Sequence, residues 1–154
     1  MATQLTFEIV PLVHVPRSKS FVEDNRHHPV VLVVDNDQII ADTRVAILAS
    51  WGYSATACYD GESAIEMARV VPPEILITDV LLGRMNGVDL GIAIRSISPD
   101  CRVLLFSGRT DSLDLLERAC SPGQNFTLLR KPVHPSELLA HLMEIDPVHQ
   151  PAVS

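Results

Sequence analysis

Short apolar runs that stop at a polar residue recur along this chain, and stretches with helical spacing lie between them. The sharpest is Glu74-Ile75-Leu76-Ile77-Thr78-Asp79, which follows Pro72-Pro73 and runs into a loop ending at Asn86-Gly87. An apolar run this short, set between helix breakers, reads as a parallel strand buried on both faces. A carboxylate at the C-terminal end of such a strand stands where open α/β sheets bind their ligands. The plainer reading of Asp79 is a helix cap or a loop former.

The same unit repeats on both sides. Val30-Val31-Leu32-Val33-Val34 is a continuous, largely β-branched run ending in Asp35-Asn36-Asp37. Ile40, Val45, Ile47, Leu48 and Trp51 then suit a helix from Ile39 to Trp51, closed by Gly52. Tyr53 to Tyr59 reads as a strand, and Asp60 as the N-cap of a helix. That helix buries Ala64, Ile65, Met67, Ala68 and Val71 and stops at Pro72-Pro73. After the central strand, Gly87 to Ile97 is helical, and Cys101 to Phe106 is a strand ending in Ser107-Gly108. Thr110 or Asp111 can cap a helix carrying Leu113, Leu115, Leu116 and Ala119. Phe126 to Leu129 is a short strand ending in Arg130-Lys131-Pro132. Pro135 opens a last helix with Leu138, Leu139, Leu142, Met143 and Ile145. Regular βα alternation gives a parallel sheet covered on both faces, and right-handed crossovers leave few topologies. The expected fold is α/β, a flavodoxin-like (βα)5 doubly wound sheet with strand order 2-1-3-4-5.

A chain of 154 residues suffices for one domain. Residues 29–146 are expected to form it. Residues 1–28, broken by Pro11 and Pro16 and then polar, read as a partly disordered extension, and 147–154 as a tail. His14, His27 and His28 read as solvated rather than as metal ligands. A net charge of −7 argues against a general nucleic-acid binder. Cys58, Cys101 and Cys120 fit neither a disulfide framework nor a metal motif and read as core thiols in a reducing compartment. No apolar run is long enough to insert in a membrane, and no basic stretch precedes an apolar one at the N-terminus. A cytoplasmic protein is expected.

In strand order 2-1-3-4-5, Asp35, Asp79, Ser107 and Lys131 end four strands at one rim. Each has a plain reading, since Asp and Ser are common at strand-to-helix turns. Together they suit phosphoryl transfer. A carboxylate can accept a phosphoryl group, and catalysis is then mostly positioning and charge neutralisation. Asp35 and Asp79 can hold Mg²⁺, Lys131 can pair with a phosphoryl oxygen, and the Ser107 hydroxyl can donate to another.

Over about residues 29 to 146 the chain resembles the receiver domain of two-component response regulators, of the stand-alone type. Val33-Val34-Asp35-Asn36-Asp37 is similar to the acidic motif after the first strand. Asp79-Val80-Leu81-Leu82-Gly83-Arg84-Met85-Asn86-Gly87 resembles the phosphoacceptor segment. Ser107-Gly108 and Lys131-Pro132 resemble the remaining motifs. The resemblance implies that Asp79 accepts a phosphoryl group from a phosphohistidine on a sensor kinase or phosphotransfer protein. It also implies that Asp35 and the Leu81 carbonyl help hold Mg²⁺, and that Ser107 and Lys131 bind phosphoryl oxygens. Phosphorylation would then pull Ser107 inward and shift the fourth-helix to fifth-helix face, where a downstream protein binds. Such a domain is not an enzyme beyond phosphorylating itself from phosphodonors and losing the phosphate again.

The chain departs from the family pattern in three places. Asn36 replaces the second acidic residue, with an amide oxygen that can still ligate. Gly83 replaces a proline and loosens the loop. Leu128 replaces the aromatic coupling residue, with Phe126 two residues earlier on the same strand face. Two alternatives follow. One is a receiver-like interaction module acting without phosphorylation. The other is a small haloacid-dehalogenase-type phosphatase, with Asp35 as nucleophile in an Asp35-Asn36-Asp37 motif. The few residues after the last helix point to no effector domain.

Overall fold

The structure, a computed structural model, describes residues 26–146. The sequence readings of residues 1–25 and 147–154 lie outside the described residues.

Five parallel strands form the sheet: β1 (Val30–Val34), β2 (Ser54–Cys58), β3 (Ile75–Asp79), β4 (Arg102–Ser107) and β5 (Thr127–Arg130). Their order is β2-β1-β3-β4-β5, the one expected from the βα alternation among the few that right-handed crossovers allow. All five residues of β3 are buried, which is why the run reads continuously apolar up to Thr78 and Asp79. Five helices alternate with the strands: α1 (Gln38–Ser50), α2 (Gly61–Val70), α3 (Gly87–Ile97), α4 (Leu113–Ala119) and α5 (Pro135–Ile145). Among the described residues, no helix is long and apolar enough to cross a membrane.

The alternate side chains of the strands feed two cores. On one face Leu32, Val34, Leu76, Val103 and Leu105 pack with Ala64 and Ala68 of α2 and with Val88, Leu90 and Ile94 of α3. On the other face Val31, Val33, Ile75, Ile77, Leu104 and Phe106 pack with Leu48 of α1 and with Leu138 and Leu142 of α5. Period-two alternation thus delivers the sheet to both helical layers.

Side-chain bonds fix where most of the helices start. Asp37 caps α1 by accepting from the Ile39 and Ile40 amides at 3.0 and 3.3 Å. Asp60 caps α2 by accepting from the Ser63 amide at 2.7 Å. Asn86 caps α3 by accepting from the Asp89 amide at 2.8 Å. Each satisfies an amide that the first turn leaves open.

Several sequence expectations are corrected. Ile40 is exposed, because the inward stripe of α1 runs through Ala41, Val45 and Leu48, one position out of phase. Met67 lies off the Gly61–Ala64–Ala68 stripe, and Val71 is already the extended C-cap of α2. Both are exposed. Leu113 at the start of α4 and Met143, off the Leu138–Leu142 stripe of α5, face solvent. Neither Thr110 nor Asp111 caps α4. Ser112 is its N-cap, and Asp111 turns back to accept from the Gly108 amide at 2.7 Å. Cys58 and Cys101 are buried, whereas Cys120, the C-cap of α4, is exposed. β5 begins at Thr127 rather than at Phe126. His27 and His28 are exposed but bound: His27 Nε2 lies 2.8 Å from Glu74 Oε1, and His28 Nδ1 2.8 Å from the Gly52 carbonyl.

Candidate functional site

The parallel register brings the C-terminal ends of β1, β3, β4 and β5 to one rim. Asp35 immediately follows β1, with its amide bonded to the Cys58 carbonyl at 3.2 Å. It is 1% exposed. One carboxylate oxygen accepts from the Asp37 amide at 2.8 Å, which aims the other across the rim. Asp79 ends β3 and is 5% exposed. Behind it, the Gly87 amide donates to the Val80 carbonyl at 2.7 Å, and an isolated antiparallel bridge joins Leu81 to Asn86. These two contacts return the loop to α3 beneath the carboxylate.

Lys131 reaches Asp79 from the end of β5, its Nζ 3.1 Å from Oδ2. Its own amide donates to the Ser107 carbonyl at 2.9 Å, which ties the two strand ends together. The other oxygen of Asp79, Oδ1, is buried and accepts no hydrogen bond. Burial pushes the Asp79 carboxyl up to about 6, with the adjacent Asp35 carboxylate acting in the same direction and Lys131 and Arg44 opposing. Asp79 is therefore mostly ionised at neutral pH, but it is a stronger base than an ordinary carboxylate.

The fourth charged group of the site is one that the sequence reading did not single out. Arg44, on the inner side of α1, points its guanidinium between the two carboxylates. Nη1 lies 2.8 Å from Asp35 Oδ2 and 3.6 Å from Asp79 Oδ1. The guanidinium carbon stands 4.3 Å above the centre of the Phe106 ring. The available signal was positional: Arg44 lies three residues after Ala41 and four before Leu48, on the buried stripe of its helix.

Asp35, Asp79 and Lys131 thus come together, with Ser107 joined to Lys131 through the backbone. Asn36 is exposed and Leu81 is half-exposed. Phe126 is enclosed against α3, where the Arg95 guanidinium lies 4.6 Å from its ring centre, and Leu128 packs on the same core.

Oxygen donors from Asp35, Asp79 and the Leu81 carbonyl are of the type a hard cation takes. The space between the two carboxylates is nevertheless held by Arg44, and the residue beside Asp35 is an exposed amide. Among the described residues no group of three carboxylate, histidine or cysteine side chains is placed to hold a metal. With Arg44 in this position the residues present do not fit a divalent ion.

A buried carboxylate at the end of the central strand, held by a lysine from the last strand, is the arrangement the sequence motifs imply. The sequence profile of the response regulator receiver domain matches residues 31–143. The chain belongs to the response regulator receiver domain family. Its curated relatives include the DNA-binding response regulator MtrA of Mycolicibacterium smegmatis, 28% identical over 112 residues, which are 73% of this chain and 48% of that protein. The chain spans about half the length of the curated relatives it matches. Among solved structures, the signal receiver domain of an HD domain-containing protein from Pseudomonas fluorescens Pf-5 superimposes with a TM-score of 0.70 at 25% identity. That match covers 77% of this chain and 94% of the other. A CheY-like receiver domain protein from Methanospirillum hungatei JF-1 shares the fold with a TM-score of 0.72 at 22% identity, over 79% and 96% of the two chains. Receiver domains are signalling domains rather than enzymes, and use Mg²⁺ at their phosphorylation site. The family places this chain in two-component signalling and speaks against the phosphatase reading.

Proposed function

We propose that this receiver domain is a cytoplasmic phosphorylation switch with Asp79 as phosphoacceptor. The observation that carries the reading is the state of the Asp79 carboxylate. It is buried at the end of the central strand, with one oxygen on Lys131 and the other accepting no hydrogen bond. A buried carboxylate oxygen left without a donor calls for an explanation, and a catalytic role is one that fits here.

In the transfer, an Asp79 oxygen attacks the phosphorus of a phosphohistidine on a sensor kinase or phosphotransfer protein. The new O–P bond forms as the P–N bond breaks, and the imidazole leaves with the electron pair. Lys131 neutralises one phosphoryl oxygen and the Ser107 hydroxyl donates to another. Small phosphodonors would serve in place of the kinase, and water would later cleave the acyl phosphate. Drawing Ser107 and Lys131 onto the phosphoryl group moves the ends of β4 and β5. The fourth-helix to fifth-helix face then changes for a downstream protein, with Leu128 and the enclosed Phe126 as coupling residues. A second reading, partner binding without phosphorylation, draws support from Arg44, which already neutralises both carboxylates.

The test is incubation with phosphoramidate and intact-mass measurement, beside an Asp79→Asn control. One added phosphoryl group on the wild type and none on the control is expected. Beryllofluoride titration covers the case of a short-lived adduct. A protein left unchanged by both reagents overturns the switch and leaves the phosphate-independent module.

A further inference from the structure

We propose that Arg44 is the resident cation of this site and takes the place of a divalent ion there. The proposal deepens the reading of Asp79 as phosphoacceptor and rests on it. Three observations converge. The guanidinium lies between the two buried carboxylates, 2.8 Å from Asp35 and 3.6 Å from Asp79. It is braced there: its side chain is 16% exposed, it springs from the α1 helix, and it lies 4.3 Å over the ring of buried Phe106. Asn36, beside Asp35, contributes no charge and is exposed.

The charges then balance without a metal. The carboxylates of Asp35 and Asp79 face the cations of Arg44 and Lys131, two against two. A divalent ion entering this cluster would leave it with two excess positive charges and would meet the guanidinium at the same oxygens. A carboxylate in place of Asn36, and a neutral residue in place of Arg44, would instead leave two excess negative charges, which a divalent ion offsets. Asn36 and Arg44 together therefore change the site by the charge of one such ion.

The guanidinium is also suited to the reaction. When an Asp79 oxygen bonds to phosphorus, a singly charged carboxylate becomes an acyl phosphate with one more negative charge. With phosphoramidate, whose nitrogen is already protonated at neutral pH, the P–N bond breaks and neutral ammonia leaves with the electron pair. Arg44 presents planar N–H donors that match phosphoryl oxygens. The oxygen of Asp79 that accepts no hydrogen bond is the one nearest Arg44.

The test compares wild type, Asn36→Asp and the double variant Asn36→Asp/Arg44→Leu, each checked for folding by thermal unfolding. Arg44→Gln replaces Arg44→Leu should the leucine variant not fold. The first arm is calorimetric titration with Mg²⁺ and no phosphodonor. The double variant is expected to bind Mg²⁺ about tenfold or more tightly than wild type, with Asn36→Asp alone gaining much less. Equal affinities overturn the proposal. The second arm is phosphoramidate labelling followed by intact mass in EDTA and in Mg²⁺. Wild type is expected to label in EDTA within about threefold of its rate in Mg²⁺, and the double variant to lose about tenfold or more in EDTA. Wild-type labelling abolished by EDTA and restored by Mg²⁺ overturns the proposal. Absence of wild-type labelling in both media refutes the reading of Asp79 instead, and the Mg²⁺ titration then decides the role of Arg44 alone.

Discussion

Gly87 and Asp79 meet backbone to backbone: a Cβ on Gly87 would stand 2.0 Å from the Asp79 carbonyl oxygen and 2.9 Å from its carbon. Neither atom can swing aside, because Asp79 is in the central strand and Gly87 opens α3. Gly87→Ala must therefore push the helix off the strand or displace the carboxylate. A loss of about 3 kcal/mol is expected in urea unfolding, at the upper end of overpacking effects. A loss below ~1 kcal/mol would mean that the loop relaxes freely.

The Asp79 carboxyl, pushed up from 3.8 to about 6 chiefly by burial, sets a pH dependence. Its folded value lies above its unfolded value. Its contribution to stability is therefore fully present below the unfolded value and is lost as pH rises through about 6. Asp79→Asn escapes that loss. The variant is expected to be more stable than wild type at neutral pH, by up to about 3 kcal/mol, with the gap closing as pH falls towards 4. Denaturant unfolding across that range checks both the sign and the window.

Phe126 and Gly91 are packed as a pair. A Cβ on Gly91 would lie 2.9 Å from Phe126 Cε2 and 3.1 Å from Val103 Cγ1. Gly91→Ala is expected to cost about 1–3 kcal/mol, despite its better helix propensity. Phe126→Leu withdraws the ring edge, so the double variant is expected to fall short of the summed losses by about 1 kcal/mol. Additive losses in a double-mutant cycle would contradict this packing.

The three cysteines differ in access. Burial pushes Cys101 up to about 12 and raises Cys58, while Cys120 is exposed. Native protein treated with a maleimide at neutral pH is expected to take one label, at Cys120. All three thiols are expected to react after unfolding. Rapid native labelling of Cys58 or Cys101 would contradict the packing around β2 or β4.

The placement of the candidate site was legible where a charged residue interrupts an apolar run. Asp35, Asp79 and Lys131 each stand at the end of a strand whose buried residues announce it, and parallel order does the rest. Asp60 and Pro135 marked their helices by local chemistry, one as a capping side chain and the other by its fixed backbone angle. Arg44 was not legible in this way, because a lone arginine in an amphipathic helix reads as part of the wet face. Only the phase of the α1 stripe places it inward, and that phase is blurred by the adjacent Ile39 and Ile40, both exposed. The same ambiguity hid the exposure of Met67, Leu113 and Met143. Apolar residues bordering a helix stripe look like core until the stripe is fixed by what it packs against.

The central claim is that the acyl phosphate forms on Asp79. Borohydride reduces an aspartyl phosphate to homoserine, so treatment with phosphoramidate, reduction and peptide mass mapping locates the phosphoryl group directly. Homoserine at position 79 and at no other aspartate is the expected result. Homoserine at position 35, with position 79 unchanged, would contradict the account and move the nucleophile to the end of the first strand.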